Sequence, residues 1–193
     1  MDIINLTKFS STTSINVFLI VGKWNSINGV NTLIDSGSDS TIIHRIINTH
    51  TGVERQRIKQ VILTHLNPQN TCLLPLIKRK FNPIIYALSK NTKGIDQIIK
   101  DGDRLKIGDT EAKIIYKPNE THDSMCIYLK EEQALFSGTT PVFSPKYQED
   151  YQLPHFHNSI QSIKNPIKII YPGKGPPIIV NHFHYKNKIK VIR

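Results

Sequence analysis

A chain of 193 residues, 38% hydrophobic and 21% charged, has the length and apolar content of a single folded domain with one sizeable core. Its longest apolar runs, such as residues 15–21, fall well short of the roughly 20 residues that a membrane span requires, so a membrane protein is not expected. Lys and Arg number 25 against 15 Asp and Glu, and the resulting charge of +10 would draw a polyanion without saying which one.

The opening residues carry neither the basic and apolar blocks of a secretory signal nor the Arg-rich character of a transit peptide, which makes the cytoplasm the default compartment. Residues 15–21 and 30–35 are short, rich in β-branched side chains and separated by Gly22 and Asn28-Gly29, a pattern that predicts an antiparallel hairpin. Asp35-Ser36-Gly37 closes it with a turn. Across residues 39–50, Ile42, Ile43, Ile46 and Ile47 recur at helical spacing, with Asp39 or Ser40 as the N-cap. Val61-Ile62-Leu63 reads as a buried strand, Pro68 opens a second helix carrying Leu73, Leu74, Leu76 and Ile77, and residues 83–86 form the next strand.

From residue 101 the pattern turns to a β-meander. Strands are expected at 104–107, 112–116, 125–129 and 134–136, with turns at Gly108-Asp109 and Glu131-Glu132. A polar loop at 143–154, a helix at 156–163 and a strand at 167–171 complete the run. Sheet strands flanked by helices imply a layered α/β sandwich over residues 1–180, followed by a basic tail at 181–193.

Short motifs stand at intervals along this frame. In order they are Asn31-Thr32-Leu33-Ile34-Asp35-Ser36-Gly37, Thr64-His65-Leu66-Asn67-Pro68-Gln69-Asn70, Lys117-Pro118-Asn119-Glu120-Thr121, Leu135-Phe136-Ser137-Gly138-Thr139 and Ile170-Tyr171-Pro172-Gly173-Lys174-Gly175-Pro176. Their sequence and spacing resemble the landmarks of the metallo-β-lactamase superfamily, whose second motif is Thr-His-x-His-x-Asp-His. The stretch from Asp123-Ser124-Met125 to Gly138 is most similar to the β-lactamase-like endoribonucleases of animal mitochondria. The resemblance implies an αββα four-layer sandwich and, by analogy only, mitochondrial residence as an alternative to the cytoplasm. Relatives of that subfamily cleave single-stranded RNA with bound zinc.

By motif position the resemblance implies that the metal ligands would be His65, Asn67, Gln69, Asn70, Glu120, Thr139 and Lys174. His65 alone keeps the family residue. Two-metal hydrolysis needs cations held about 3.5–4 Å apart by imidazoles and carboxylates. Neutral amides at 67, 69 and 70 are weak zinc donors, Thr139 lacks the bridging carboxylate, and the ammonium of Lys174 has no lone pair to give. The main expectation is therefore a catalytically degenerate member that holds no cofactor and serves as a binding or scaffold protein for RNA or a protein partner. In the vacated pocket Lys174 and Glu120 would pair as a buried charge pair. The alternative is a divergent hydrolase, of endoribonuclease or thioesterase type, with one zinc on His65, Glu120 and His122.

The remaining candidates read as ordinary structure. Asp35 is expected to brace the strand end under the site as a hydrogen-bond acceptor. Cys72 and Cys126 read as buried thiols, with Cys72 as a nucleophile beside His65 the lesser alternative. His155, His157, His182 and His184 read as surface histidines.

Overall fold

The computed structural model describes residues 1–7, 15–26, 28–52, 56–117, 122–140 and 166–180. These build two six-stranded sheets packed face to face. The first contains, in spatial order, β1 (Asp2–Asn5), β2 (Phe18–Val21), β3 (Thr32–Ile34), β4 (Gln60–Ile62), β5 (Ile84–Ala87) and β6 (Gln97–Ile98). The β2–β3 pair is the antiparallel hairpin expected from its short polar connection. From β3 onward the neighbours are parallel. A parallel neighbour needs a crossover, and helices supply it: α1 (Thr41–Asn48) between β3 and β4, then α2 (Pro68–Thr71) and α3 (Leu74–Phe81) between β4 and β5.

The second sheet is the expected meander. Here β7 (Arg104–Ile107), β8 (Thr110–Tyr116), β9 (Met125–Leu129) and β10 (Ala134–Gly138) pair antiparallel in turn, β11 (Ile169–Pro172) adds parallel to β10, and β12 (Ile178–Ile179) closes the edge.

Alternation along the strands sorts the core into layers. Leu19, Leu33, Val61 and Ile85 face the helices and meet Ile42, Ile43, Ile46, Leu73, Leu74 and Ile77. Their neighbours Phe18, Ile20, Ile34 and Ile62 face the second sheet and pack on Ile114, Met125, Ile127 and Phe136. Each such side chain contributes about 1.5–3 kcal/mol of burial. The outer face of the second sheet is buried as well, through Ile115, Cys126, Tyr128, Leu135 and Ile170. The outer face of the second sheet is thus buried along β9 to β11, whereas at β7 and β8 it shows Arg104, Lys106, Glu111 and Lys113 to solvent.

Several local expectations change. The single helix begun by Pro68 is two: Pro75 has no N–H to give to Thr71, so the chain breaks at Cys72–Leu73 and restarts as α3. Cys72, at that break, is exposed and not buried, because Leu73, Leu74 and Ile77 take the inward positions. Cys126 is buried as expected, and burial pushes its thiol up to about 11. Ser40 sits at the N-cap of α1 without a side-chain bond, and Asp39 Oδ1 accepts from Thr41 N–H at 2.9 Å instead. The edge strands β1, β6 and β12 have too few alternating residues to announce themselves. The expected loop at 143–154, the helix at 156–163, the tail at 181–193 and His155, His157, His182 and His184 lie outside the described residues. No helix among the described residues is long and apolar enough to cross a membrane.

Candidate active site

The parallel strands β3 and β4 end at the same edge of the molecule as β10 and β11, so four loops converge there. Asp35 follows β3 in the left-handed region at φ 60°, which an Asp tolerates better than a bulky residue. The turn aims its buried carboxylate at the next strand end, where Oδ1 accepts from Thr64 N–H at 2.9 Å and Oδ2 from Thr64 Oγ1–H at 2.8 Å. Asp35 thus ties the end of β3 to the residue after Leu63 through both its oxygens.

Two glycines let the second sheet close on this point. Gly138, at φ 55°, lies so near Thr64 that a Cβ would stand 2.7 Å from Thr64 Oγ1. A Cβ on Gly173 would come within 2.5 Å of Gly138 O. Met125 N–H donates to Thr64 O at 2.9 Å, and Asn16 Nδ2 donates to Pro172 O at 2.9 Å and Gly175 O at 2.7 Å. These bonds tie the loops of the two sheets into one frame.

His65 sits inside that frame and is only 2% exposed. Its Nδ1 lies 2.7 Å from Asn70 Nδ2 and 3.1 Å from Thr64 Oγ1, while Nε2 is buried without a partner. Asn70 is fully buried; its backbone oxygen accepts from Ser36 N–H at 3.0 Å and Ser36 Oγ–H at 2.5 Å. Asn70 Oδ1, like His65 Nε2, has no partner.

Burial dominates the electrostatics. It pushes the Asp35 carboxyl up to about 7, against the opposing pull of the bonds from Thr64 and Asn70. Burial likewise pushes the His65 imidazole below its usual range; the nearby charge of Asp123 opposes this and that of Lys174 adds to it. His65 is consequently neutral at physiological pH.

The other positions scatter. Asn67 caps α2, its Oδ1 accepting from Gln69 N–H at 2.9 Å, and Gln69 is exposed. Thr139 is half-buried beside Gly138. Lys174 is exposed, which corrects the expectation of a buried ammonium: Asn16 pins the backbone on either side, at 172 and 175, and the turn between them faces water. Glu120, its expected partner, lies outside the described residues. His122 is exposed, and its carbonyl accepts from Tyr116 Oη–H at 3.1 Å.

Sequence reasoning missed Asp123 and Asn16. Asp123 Oδ2 accepts from Leu66 N–H at 3.0 Å and sets the loop that carries His65. Its one sequence signal is an acidic residue just beyond the Glu120 motif. Among the described residues, no three of His, Cys, Asp and Glu gather closely enough to hold a metal ion.

No family model matches the chain. It is 28% identical over 122 residues to the atrochrysone carboxyl ACP thioesterase nsrC of Aspergillus novofumigatus, covering 63% of this chain and 38% of that protein. It is 30% identical over 128 residues to the atrochrysone carboxyl ACP thioesterase dmxR1 of a Cryptosporiopsis species, covering 61% and 39%. The chain thus spans well under two thirds of the length of the curated relatives it matches. Among solved structures it superposes on ETHE1 from Myxococcus xanthus with a TM-score of 0.68 at 15% identity, over 98% of this chain and 78% of that one. It superposes on the BLEG-1 B3 metallo-β-lactamase with a TM-score of 0.62 at 16% identity, over 86% and 88%. The chain has the metallo-β-lactamase fold.

A further neighbour is named for a peroxy diiron species of the chemotaxis sensor ODP, with a TM-score of 0.66 at 16% identity over 91% of this chain and 84% of that one. Neighbours named for their metals overturn the expectation of a chain without a cofactor: the metallo-β-lactamase fold points to a metal. His65 fits one, since a buried, partnerless ring nitrogen is the atom a cation would complete.

Proposed function

We propose that the protein is a divergent metal-dependent hydrolase of the thioester-cleaving class, with a site reduced to a single cation. The observation that carries this reading is the partnerless Nε2 of His65, buried where the loops of both sheets converge. His65, Glu120 and His122 would hold the cation; Thr139 and Lys174 offer nothing to bridge a second one. A bound cation of this kind polarises a carbonyl and brings a water toward neutral pKa.

The chain's own residues supply the rest. Asp35, Thr64 and Asn70 hold the imidazole in one orientation, so that little reorganisation is needed on binding. The Asp123 carboxylate fixes the loop at Leu66, and the exposed ammonium of Lys174 favours an anionic acyl thioester at the mouth. In the overall reaction water adds to the thioester carbonyl and the C–S bond breaks. The acyl group leaves as a carboxylic acid and the thiol takes the remaining proton.

The test has two parts. Protein equilibrated separately with zinc, manganese and iron is measured for bound metal by plasma mass spectrometry, and acyl-CoA and acyl-carrier-protein thioesters are assayed by thiol release. About one equivalent of metal, lost in His65→Gln and Glu120→Gln together with thiol release, is the expected result. Protein that holds almost no metal under all three conditions and releases no thiol above the buffer rate sinks the reading.

A further inference from the structure

The ends of β2 and α1 and the start of β3 meet at the end of the sheet opposite His65, and a cleft of about 450 Å³ opens there. That volume falls within the range of about 300–1,000 Å³ usual for small-molecule sites. One buried side chain builds the cleft. Asn31, 1% exposed, donates through Nδ2 to Thr51 O at 2.8 Å and to Gln56 O at 3.0 Å, while its Oδ1 accepts from Gly22 N–H at 3.4 Å. The hairpin and the segment after α1 are thereby held at a fixed spacing, so the cleft is preformed.

Its lining combines groups that differ in chemistry. Trp24, the one tryptophan of the chain, stands on the Lys23–Ser26 turn and is 81% exposed, so its indole contributes little to the core and offers a flat aromatic face. Arg57 Nη1 donates to Thr49 O at 2.9 Å, just past the C-terminus of α1, where a cation is favoured. The rest of that planar fork is open to an oxyanion, and His50 adds a ring N–H. Asp2, at the start of β1, adds an acceptor, and Ile47 adds apolar surface. A bare anion would suit Arg57 and His50 but would be repelled by Asp2, and an acidic peptide would leave the indole uncovered. A nucleobase that carries a phosphate meets every group: its ring stacks on Trp24, its phosphate takes up Arg57 and His50, and a base amine or ribose hydroxyl donates to Asp2. The charge of +10 draws such an anion to the protein.

We propose that this cleft is a nucleotide site, separate from the centre at His65 and independent of any metal there. A free nucleotide and one unit of a single strand present the same groups, and the test distinguishes them. With one tryptophan in the chain, fluorescence reports on this cleft alone. The protein is titrated with adenosine monophosphate and with an oligoadenylate of about ten units, and tryptophanamide serves as the absorbance control. Saturable quenching is the expected result. Equal affinity per site for the two probes identifies a free nucleotide; an oligomer that binds about tenfold or more tightly, with affinity falling as salt rises, identifies a strand. By calorimetry Arg57→Gln should weaken binding about tenfold or more and Trp24→Ala about fivefold or more; both side chains are exposed, so neither change disturbs the core. His65→Gln should bind as wild type does, so the failure of the hydrolase reading would leave this site standing. The proposal is overturned by any of four results: no saturable quenching with either probe, pyrophosphate or oligoglutamate binding as tightly as the nucleotide, affinities unchanged in both cleft variants, or binding lost in His65→Gln.

Discussion

Replacing Asp35 by Asn isolates the energetic consequence of burying a carboxyl under the site. Burial raises its pKa from 3.8 to about 7, so folded protein keeps a proton that the unfolded chain releases. That contribution is fully present below the unfolded pKa and is lost as pH rises through the folded one. Between about pH 5 and the folded value lie roughly two pH units at about 1.4 kcal/mol each, so wild type should lose about 3 kcal/mol by about pH 8 through this group. Asp35→Asn cannot titrate, but its amide nitrogen cannot accept, and one of the two Thr64 donors loses its partner at a cost of about 1–3 kcal/mol. The variant should therefore be the less stable protein at about pH 5 and should draw level with or overtake wild type at about pH 8. Urea unfolding at intermediate pH values follows the gap, and titrations elsewhere cancel in the difference. A gap that stays constant across the range would refute the reasoning, since it would mean that Asp35 is ionised throughout.

The frame around the site can be tested in the same way. Gly138→Ala forces a side chain into the left-handed region and against Thr64 Oγ1, and should lower stability by about 2–4 kcal/mol in thermal unfolding. Gly102→Ala, at φ 83° with nothing within 4 Å, is the control and should cost about 1–2 kcal/mol. Asn16→Ala strips the donors from Pro172 O and Gly175 O and should cost about 1–3 kcal/mol, with the 172–175 turn becoming the first site of protease cleavage; an unchanged cleavage pattern would deny Asn16 its tethering role. A charge of +10 should also retain single-stranded RNA weakly, with little sequence preference and with affinity falling steeply as salt rises. Neutralising Lys186, Lys188 and Lys190 should weaken that binding and flatten its salt dependence, and no shift in a low-salt gel would remove RNA as a ligand.

Much of this was legible in the residues alone, for reasons of period and turn chemistry. Ile42, Ile43 and Ile46 fall on one face of a helix wherever that helix packs, and Gly108-Asp109 between alternating strands makes a hairpin without help from elsewhere. Local backbone preference and apolar spacing therefore determined the order of the inner strands, the meander and the sandwich class, while the short edge strands and the break between α2 and α3 escaped them. Tertiary structure decided the rest, because it depends on residues distant in the chain. Whether Lys174 is buried turns on Asn16, 158 positions away, and on which way a turn faces. Asn70 reads in sequence as a poor ligand. Only the packing of its amide against His65 Nδ1, at 2.7 Å, makes it part of the frame around the imidazole, because a hydrogen bond is a property of groups brought together and not of any one residue type.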